Sequence, residues 1–541
     1  MMKTSGHFIG KYLKRRGIDA LFGLSGGHVY PIMDGCVENE IRFVDTRHEQ
    51  AAAFAAEGYA LRSGKPGAYT VIAGPGFANA VSGLAHASVT LSPTICLAGD
   101  VGVHEEDKGA PQEVEQEGVA AFYANFAKTV RTTDRIPQYL ELAFQQMLGS
   151  NPGPAYLGLP MNVSWRAVSD EAENMFMPRD VPKAQGNPND VAKAAEMIKS
   201  AKKPAIVVGS GGFWSGAASE LKAFAEQTEL PIFTRNAARG LLPDEHPQCY
   251  GLPGLGVFRA DLVVVMGSRM NSGFYYGQFG DDTQIVQVDC NNAAMGNNQE
   301  IDLGICGDVG LVLDQLGAEL QGFKCDGEWI SILDDAKAKR MAKFGSDYHS
   351  DMRPVHPLRI LHELNEFADE HTTFAIDGGD FAVEAARHLN ASQVGAHLSN
   401  GSILGSLGPG IPFAIGAKIA APDDTVICVM GDGAFGLSAM EMDTAIRHNI
   451  PIIVVIGNDQ CWGMVERSYK EAFGENRTVG AELGDRPYDK MVEALGGYGE
   501  RVEDPEEIQP ALRRAVESKK PACINIVMAR QSILSAGEQG G

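Results

Sequence analysis

The chain has 541 residues, and its 46 Lys and Arg against 69 Asp and Glu leave a formal net charge of −23. Hydrophobic residues make up 44% and charged residues 21%, a balance that indicates a folded globular protein and excludes wholesale disorder. Strong acidity disfavours a nucleic-acid-binding surface, which needs clustered Lys and Arg, and is compatible with a small-molecule ligand. Since a domain usually holds roughly 100–200 residues, three domains are expected.

The cysteines and the first residues bear on the compartment. The nine cysteines are scattered and none forms a C-x-x-C pair, so neither a disulfide framework nor a structural zinc site is predicted. The segment MMKTSGHFIGKYLKRRGID lacks the apolar stretch of a signal peptide. No apolar run approaches the roughly 20 residues that a membrane-spanning helix needs. We therefore expect a cytoplasmic protein with neither a membrane partner nor a nucleic-acid partner.

In chain order, the first block (1–165) alternates helical stretches with short apolar strands. Its predicted strands are DALFGLSG, IRFVDT, GAYTVIAG, TICLAGD and AYLGLP. Strands that alternate with helices favour a parallel sheet between layers of helices. Residues 166–190 are polar and rich in Pro and Asn, and are interpreted as a linker.

Two further blocks repeat this pattern. The second (191–320) opens with the helical segment DVAKAAEMIKSA, and the third (356–530) follows a charged, helical connector over 321–355. Their predicted strands lie at 204–210, 230–234, 260–267, 283–289, 372–377, 425–430, 450–457 and 522–528. The expected fold is α/β, with three doubly wound parallel-sheet domains.

The most informative segment is TVICVMGDGAFGLSAMEMDTAIRHNIPIIVVIGNDQCWG, residues 425–463. It predicts a strand, a Gly-Asp-Gly turn, one helix that ends near His448, a second strand and a polar loop. Because parallel strands end at the same sheet edge, both loops lie where open α/β sheets bind ligands. Gly431 and Gly433 would let a phosphate approach the backbone, and Asp432 offers a hard oxygen ligand for Mg²⁺.

A tight turn before a helix, with Asp432 as N-cap, is the simpler interpretation of Gly-Asp-Gly alone. The spacing weighs against it, because the 24 residues between Gly433 and Asn458 make one whole βαβ unit. With this pairing, the chain resembles the thiamine diphosphate enzyme superfamily, whose signature is Gly-Asp-Gly followed at about this spacing by Asn-Asn. The resemblance covers nearly the whole chain. It is closest to the branch of acetolactate synthase, benzaldehyde lyase, 2-hydroxyacyl-CoA lyase and oxalyl-CoA decarboxylase.

The resemblance implies that thiamine diphosphate is bound through Mg²⁺. It implies Asp432 as one metal ligand and the second residue of the Asn-Asn pair as another. That second position holds Asp459 here, so Asp459 is the expected ligand and Asn458 the alternative. Cys461 would contribute its backbone carbonyl. By the same resemblance, the three blocks are the aminopyrimidine-binding, central and diphosphate-binding domains.

The resemblance also implies an activating glutamate in DTRHEQAAAFAAEGYA, a strand end followed by an Ala-rich helix. Glu49 would hydrogen-bond the aminopyrimidine ring and favour the tautomer that deprotonates the thiazolium carbon. Taken alone, Glu49 is equally typical of a helix start stabilised by the helix dipole. In the family this glutamate lies across a subunit interface from the metal, so a homodimer or homotetramer is expected.

Other cofactor contacts are implied by loops after predicted strands. Leu407 would be the apolar residue that holds the cofactor bent, although an ordinary core leucine is an equal alternative. The remaining cofactor-binding candidates belong to Gly-rich loops: Gly74, Pro75, Asn79, Gly378, Gly379, Gly405, Gly431, Gly433 and Ala434.

Four residues are candidates for the substrate side of the site. His28 follows a strand and a Gly pair, as a histidine does in benzaldehyde lyase-like enzymes, and would relay protons. A structural or surface histidine is the alternative. Gln112 resembles the family glutamine that hydrogen-bonds the substrate oxygen. Trp462 and Met464 follow the metal loop and would shape the substrate pocket.

The resemblance implies cleavage and formation of C–C bonds in 2-hydroxy carbonyl compounds, of acyloin or 2-hydroxyacyl-CoA type, through an acyl-anion (enamine) intermediate. The alternatives are an acetolactate synthase-like enzyme that decarboxylates and condenses pyruvate, and a flavin-dependent oxidase. The segment PAIVVGSGGFWSG, at 204–216, lacks G-x-G-x-x-G, so FAD, ADP or CoA binding by the middle block stays open beside a structural role.

Overall fold

The structure is a computed structural model that describes residues 3–254, 256–400, 404–475 and 477–531. Over these residues, 17 strands form sheets of six, five and six strands, and all neighbouring strands are parallel. Parallel strands need long crossovers, here mostly helical, and central strands covered on both faces are apolar throughout. The predicted α/β fold with three parallel sheets is confirmed.

The first unit is built on a six-stranded sheet. Its strands are β1 (Ala20–Gly23), β2 (Arg42–Asp45), β3 (Gly67–Val71), β4 (Thr94–Asp100), β5 (Phe126–Thr129) and β6 (Ala155–Pro160). They lie in the order β2-β1-β3-β4-β6-β5. Its helices are α1 (Ser5–Arg15), α2 (Tyr30–Glu38), α3 (Glu49–Ser63), α4 (Pro75–Thr90), α5 (Gln116–Ala121), α6 (Ile136–Met147), α7 (Met161–Ser164) and α8 (Asp170–Met175).

The central unit has five strands. They are β7 (Pro204–Val208), β8 (Ile232–Thr234), β9 (Leu262–Met266), β10 (Gln284–Asp289) and β11 (Leu303–Cys306). Their order is β11-β10-β9-β7-β8. Its helices are α9 (Pro188–Ser200), α10 (Ser210–Ser215), α11 (Ala218–Thr228) and α12 (Val309–Glu319). The connector to the third unit forms a long helix, α13 (Gly327–Tyr348), as the sequence predicts.

The third unit again has six strands. They are β12 (Thr372–Ile376), β13 (His397–Ser399), β14 (Thr425–Gly431), β15 (Ile452–Asn458), β16 (Tyr498–Val502) and β17 (Ala522–Val527), in the order β13-β12-β14-β15-β17-β16. Its helices are α14 (Pro357–Phe367), α15 (Asp380–His388), α16 (Gly410–Ala420), α17 (Asp432–Ser438), α18 (Glu441–Arg447), α19 (Gly463–Phe473), α20 (Tyr488–Leu495) and α21 (Ile508–Ser518). Over the described ranges, no helix is both long and apolar enough to cross a membrane.

All three sheets reverse direction in the same way. In each, the first strand of the unit lies between the second and the third, so the crossovers that leave the first and third strands run toward opposite edges of the sheet. A crevice opens beyond the carboxyl ends of the two strands at this reversal point, and α/β proteins bind ligands there. The crevices lie at β1 and β3, at β7 and β9, and at β12 and β14.

Every strand predicted from the sequence is present, and the four strands that were not predicted lie at sheet edges: β5, β11, β13 and β16. An edge strand is paired on one side only and buries fewer side chains; in β16 only Val502 is buried. The prediction of one helix after Gly-Asp-Gly is wrong, because α17 and α18 are separate. Leu437 and Met440 are exposed, so the apolar positions of this segment do not form one buried face.

The first and third units pack together through α3 and α16. A Cβ atom on Gly58 would lie 2.5 Å from the Phe413 Cα, and one on Gly416 would lie 2.0 Å from the Ala55 carbonyl oxygen. Only glycine permits such a close helix crossing. Their apolar residues belong to one continuous core cluster. Helix α3, which begins at Glu49, is therefore fixed directly against the third unit.

Candidate active site

A cavity of about 590 Å³ opens beyond β12 and β14, at the reversal point of the third sheet. This volume lies within the roughly 300–1,000 Å³ that is typical of ligand sites. Asn236, Arg239 and Ser272 of the central unit also line it. The predicted residues that line it are Gly378, Gly379, Gly405, Leu407, Gly431, Asp432, Gly433, Ala434, Asp459, Cys461, Trp462 and Met464.

Two of these glycines are required by the local geometry. A Cβ atom on Gly433 would lie 2.5 Å from carbon atoms of the Trp462 ring, so that ring packs directly on the backbone of the Gly-Asp-Gly turn. Gly379 has φ +92°, a conformation that other residues rarely adopt, and it precedes α15. Both loops thus expose their backbone to the cavity, as binding a diphosphate would require.

Asp432 is the strongest indication of a metal site. It begins α17, is 2% exposed, and its Oδ2 atom has no hydrogen-bond partner among the described residues. Buried polar atoms are normally paired. Burial raises the pKa of Asp432, and the nearby Asp459 carboxylate raises it further. A cation between these hard oxygen donors would relieve the repulsion, so the residues fit Mg²⁺.

The two candidates for the second ligand point in different directions. Asn458 ends β15, is fully buried, and donates from Nδ2 to the Asn525 side chain at 2.9 Å. It does not line the cavity. Asp459 does line it, and its Oδ1 accepts a hydrogen bond from the Cys461 amide at 3.3 Å. The geometry therefore favours Asp459 over Asn458.

The loop that contains Asp459 is held by Arg530, which the sequence analysis did not identify. The Arg530 guanidinium donates to the backbone carbonyls of Asp459 at 2.8 Å and Gln460 at 3.2 Å, and forms two 2.8 Å contacts with Glu482. Gln460 has φ +65°, an unfavourable value for a residue with a side chain. Arg530 is 71 residues beyond Asp459, so no local pattern signals the contact.

The Cys461 thiol is unsuited to catalysis. It is 3% exposed, its Sγ lies 3.9 Å from a carboxylate oxygen of Glu466, and burial raises its pKa. A nucleophilic thiol instead needs a lowered pKa. Only the backbone of Cys461 therefore suits the site. Met464 is 45% exposed on the cavity wall.

Glu49 lies at the carboxyl edge of the first sheet. It is the first residue of α3, behind the N-cap His48, and is 5% exposed. Asn79 of α4 donates from Nδ2 to Glu49 Oε2 at 3.0 Å. A Cβ atom on Gly76 would lie 3.4 Å from Glu49 Oε1. Glu49 is therefore adjacent to the first turns of α4. The predicted Gly-rich loop at this point is helical from Pro75 onward.

His28 lies against the backbone near the end of β4, and Gln112 lies against the backbone at Gly74, just before α4. A Cβ atom on Gly99 would meet the His28 Cβ at 2.2 Å, and one on Gly74 would lie 2.7 Å from the Gln112 carbonyl oxygen. Burial lowers the pKa of His28, although Glu105 opposes this, so the imidazole is neutral near pH 7. These contacts place both candidates at the reversal point of the first sheet.

Gln116 is a second residue that the sequence analysis missed. It is 2% exposed, accepts a hydrogen bond from the Gly74 amide at 3.3 Å, and donates to the Gly99 carbonyl at 3.0 Å. It thereby joins the Gly74 segment, against which Gln112 lies, to the end of β4, against which His28 lies. No local sequence pattern distinguishes a buried glutamine such as Gln116 from an exposed one.

Leu407 is held over the Gly378 loop. Its Cδ2 atom lies 2.7 Å from where a Cβ atom on Gly378 would stand. Buried Asp377, which the sequence analysis did not single out, accepts hydrogen bonds from the amides of Gly408 at 2.9 Å and Gly410 at 2.6 Å. Burial raises the pKa of Asp377 to about 6, against the lowering effect of these amides. Leu407 is therefore a positioned residue of the cavity wall.

The crevice of the central unit is closed. The Gly211 amide donates to the Gly267 carbonyl at 2.8 Å, which joins the loops after β7 and β9. Buried Arg235 donates to the Ser268 hydroxyl at 3.1 Å and to the Arg269 carbonyl at 3.0 Å, and burial lowers its pKa to about 10. A space of about 60 Å³ remains, well below the size of a ligand pocket. These contacts give no support for FAD, ADP or CoA binding in this crevice.

The predicted site residues fall into two groups within one chain. Glu49, His28 and Gln112 belong to the first sheet edge, and none of them lines the cavity that contains Asp432. In the part of the chain that the structure describes, no group of three or more His, Cys, Asp or Glu is placed to hold a metal. Asp432 and Asp459 thus form an incomplete ligand set that exogenous oxygen atoms would have to complete.

Comparison with known families and proteins agrees with this architecture. Residues 3–119, 191–316 and 377–526 match the N-terminal TPP binding, central and C-terminal TPP binding domains of thiamine pyrophosphate enzymes. The acetolactate synthase large subunit of Mycobacterium tuberculosis is 33% identical over 97% of this chain and 95% of its own length. Human 2-hydroxyacyl-CoA lyase 2 is 30% identical over 98% of this chain and 90% of its own length. The chain therefore belongs to the thiamine pyrophosphate (thiamine diphosphate) enzyme family and is a thiamine diphosphate-dependent enzyme.

Proposed function

We propose that this enzyme uses thiamine diphosphate and Mg²⁺ to cleave and form C–C bonds in 2-hydroxy carbonyl compounds, of acyloin or 2-hydroxyacyl-CoA type. The observation on which this chiefly rests is the unpaired Oδ2 atom of Asp432, which faces Asp459 in a glycine-lined cavity. The units correspond to proposed domains at 1–165, 191–320 and 356–530. The central domain is proposed to be structural, because Arg235 closes its crevice.

The third domain is proposed to hold the diphosphate end. Asp432, Asp459 and the Cys461 carbonyl supply the metal ligands. The glycine loops and Ala434 supply backbone amides that contact the anion. With a net charge of −23, the chain depends on these local groups and on the metal for its attraction to a diphosphate.

Thiamine diphosphate, when bound, supplies a carbon nucleophile that adds to a carbonyl and accepts the electron pair of the broken C–C bond. Glu49 is proposed to exchange a proton with the aminopyrimidine ring nitrogen. Asn79 holds the Glu49 carboxylate at 3.0 Å and so orients it. The low exposure of Glu49 keeps water from competing for that proton.

The substrate side is proposed to consist of His28, Gln112, Trp462 and Met464. A neutral His28 can accept a proton from a hydroxyl group and return it, which is the step that a 2-hydroxy carbonyl compound requires. Gln112 would donate a hydrogen bond to the substrate oxygen. Trp462 and Met464 would limit the size of the substituent, and pocket shape of this kind decides between substrates of one reaction class.

A second copy of the chain is proposed to complete the site, as a homodimer or homotetramer. Glu49 does not line the Asp432 cavity of its own chain. The first and third units also expose large apolar side chains, with Phe122 85% and Leu437 58% exposed. Mixing Glu49→Gln and Asp432→Ala variants after mild dissociation tests this. Activity should recover in mixed dimers only, because one of their two sites has both residues intact. If either variant is active on its own, or if mixing restores no activity, the proposed arrangement is contradicted.

Two other functions are distinguished by one experiment. The 33% identity to an acetolactate synthase favours condensation of pyruvate as the alternative. The purified enzyme with thiamine diphosphate and Mg²⁺ is offered pyruvate, benzoin, a 2-hydroxyacyl-CoA and oxalyl-CoA, and products are identified by mass spectrometry. Cleavage of benzoin or of the 2-hydroxyacyl-CoA supports the proposal. Acetolactate from pyruvate would replace it with the synthase function. Flavin absorbance of the purified protein would contradict the closed central crevice and favour an oxidase.

A further inference from the structure

A buried chain of polar side chains connects the first unit to the wall of the cofactor cavity. His86 of α4 and Glu57 of α3 are fully buried, and His86 Nδ1 lies 2.7 Å from Glu57 Oε2. His86 Nε2 lies 2.7 Å from Asn400 Oδ1, which belongs to the loop after β13. The Asn400 amide group in turn donates to the Ser406 carbonyl.

The hydrogen-bond partners in this network limit which atoms can donate and which can accept. The Ser406 carbonyl can only accept, so Asn400 presents its NH₂ group to Ser406 and its oxygen to His86. His86 Nε2 must therefore donate. Glu57 Oε1 already accepts from the hydroxyls of Thr90 at 2.6 Å and Ser92 at 2.9 Å. Where Glu57 Oε2 accepts from Nδ1 as well, both ring nitrogens donate and His86 is an imidazolium.

The surroundings of His86 support the charged form. Burial alone would lower the pKa of His86, but Glu57 and Asn400 outweigh it, and the pKa is raised. The carboxylate of Asp377, just after β12, also raises the pKa of His86. The rings of Phe54 in α3 and Phe413 in α16 meet the imidazole edge-to-face at 5.4 Å and 5.7 Å.

The series of hydrogen-bonded side chains ends beside Leu407. Asn400 holds the carbonyl of the preceding residue, Ser406, and Asp377 holds the amide of the following residue, Gly408. Leu407 is thus clamped from both sides where it lines the cavity. The Asp377 contact lies within the third unit, whereas the Asn400 contact depends on His86 and Glu57 of the first unit.

We propose that His86 and Glu57 are positioning residues that set the affinity for thiamine diphosphate, because through Asn400 they hold Leu407 against the bound cofactor. The inference rests on the proposed role of Leu407 as the apolar support of the cofactor. Loss of the His86 proton leaves a lone pair facing either Glu57 or the Asn400 oxygen. Rotation of the Asn400 amide would relieve the second conflict, but it would turn its oxygen toward the Ser406 carbonyl and release Leu407.

The test measures cofactor binding by calorimetry, with Mg²⁺ and without substrate. Asn400→Asp keeps an acceptor for His86 but places an oxygen opposite the Ser406 carbonyl, so it cuts the connection at one point. We expect its dissociation constant for thiamine diphosphate to rise about tenfold to a hundredfold, the range for losing a buried hydrogen bond to an unpaired partner. His86→Gln removes the charge and should produce a similar rise.

Thr90→Val is the matched control. It removes one hydrogen bond from Glu57 but leaves the path through His86, Asn400 and Ser406 intact. We expect the control to lower thermal stability while the dissociation constant stays within about twofold of the wild type. If Asn400→Asp and His86→Gln also lower only the melting temperature, this hydrogen-bonded network is merely structural and the inference is overturned.

The pH dependence gives a second readout. The pKa of His86 is raised. Its contribution to cofactor affinity is therefore fully present below the usual pKa range of histidine and is lost as the pH rises through the raised pKa. The wild-type dissociation constant should rise with pH over the range in which histidine NMR signals show His86 losing its proton. His86→Gln should lack this step, and a persistent step would overturn the inference. Failure of the wild type to bind thiamine diphosphate would instead refute the proposed function.

Discussion

Replacement of Glu49 by Gln tests the shared mechanism most directly. Glu49 is 5% exposed and its Oε2 atom receives a hydrogen bond from Asn79 at 3.0 Å. The amide has nearly the same size and can still accept that hydrogen bond through its oxygen. The substitution should therefore leave the fold and the free energy of unfolding almost unchanged. It removes only the ability of residue 49 to exchange a proton with the cofactor ring.

The expected magnitude follows from the role. A positioned proton-transfer group contributes about 10²–10⁴ in rate, and each factor of ten corresponds to about 1.36 kcal/mol. Glu49→Gln should therefore raise the barrier by roughly 3–5 kcal/mol. Asn79→Ala removes only a hydrogen bond to a charged group, worth about 1.5–3 kcal/mol, and should slow the reaction by a smaller factor.

The assay is hydrogen–deuterium exchange at the thiazolium carbon of the bound cofactor, quenched with acid and measured by NMR. The order of rates should be wild type, then Asn79→Ala, then Glu49→Gln. Glu370→Gln is a control, because its carboxylate is 88% exposed, and it should exchange at the wild-type rate. Exchange in Glu49→Gln at the wild-type rate would refute the assignment of this glutamate.

Four further substitutions have distinct expected outcomes. Asp459→Ala should raise the Mg²⁺ dissociation constant in titrations. Asn458→Ala should mainly lower the free energy of unfolding, by about 1–3 kcal/mol, because it removes a buried hydrogen bond. The reverse pattern would make Asn458 the ligand. Arg530→Ala frees the carbonyls of Asp459 and Gln460 and should weaken Mg²⁺ binding about tenfold or more, so an unchanged affinity contradicts the clamp. Phe413→Ala opens a cavity between α3 and α16 and should cost about 3–5 kcal/mol in urea unfolding; less than 1 kcal/mol would contradict the tight crossing.

The fold was predictable wherever a strand is buried on both faces. Strands such as β4 and β15 are unbroken apolar runs, because helices cover both sides of a parallel sheet. The strands that escaped prediction, such as β5 and β16, pair on one side only and have mixed composition. Their position at the edge is a property of the sheet order, which local composition does not encode.

The candidate site was predictable to the extent that its residues follow a strand within one βαβ unit. Asp432 and Asp459 were found because the ends of adjacent parallel strands must converge, whatever the rest of the chain does. Arg530 and Asn400 could not be found in this way. Arg530 reaches the Asp459 loop because β17 pairs with β15 in the sheet, and the link from Asn400 to His86 joins residues 314 positions apart.

The sequence by itself determined the three α/β units, the acidic character and the pair of loops with hard oxygen ligands, because these depend on composition and short-range spacing. Only the tertiary structure decided that Asp459 rather than Asn458 faces the cavity, that Arg235 closes the central crevice, and that His86 joins the first unit to Leu407. Side-chain direction and buried hydrogen bonding depend on which secondary-structure elements pack together, and these contacts join residues up to several hundred positions apart.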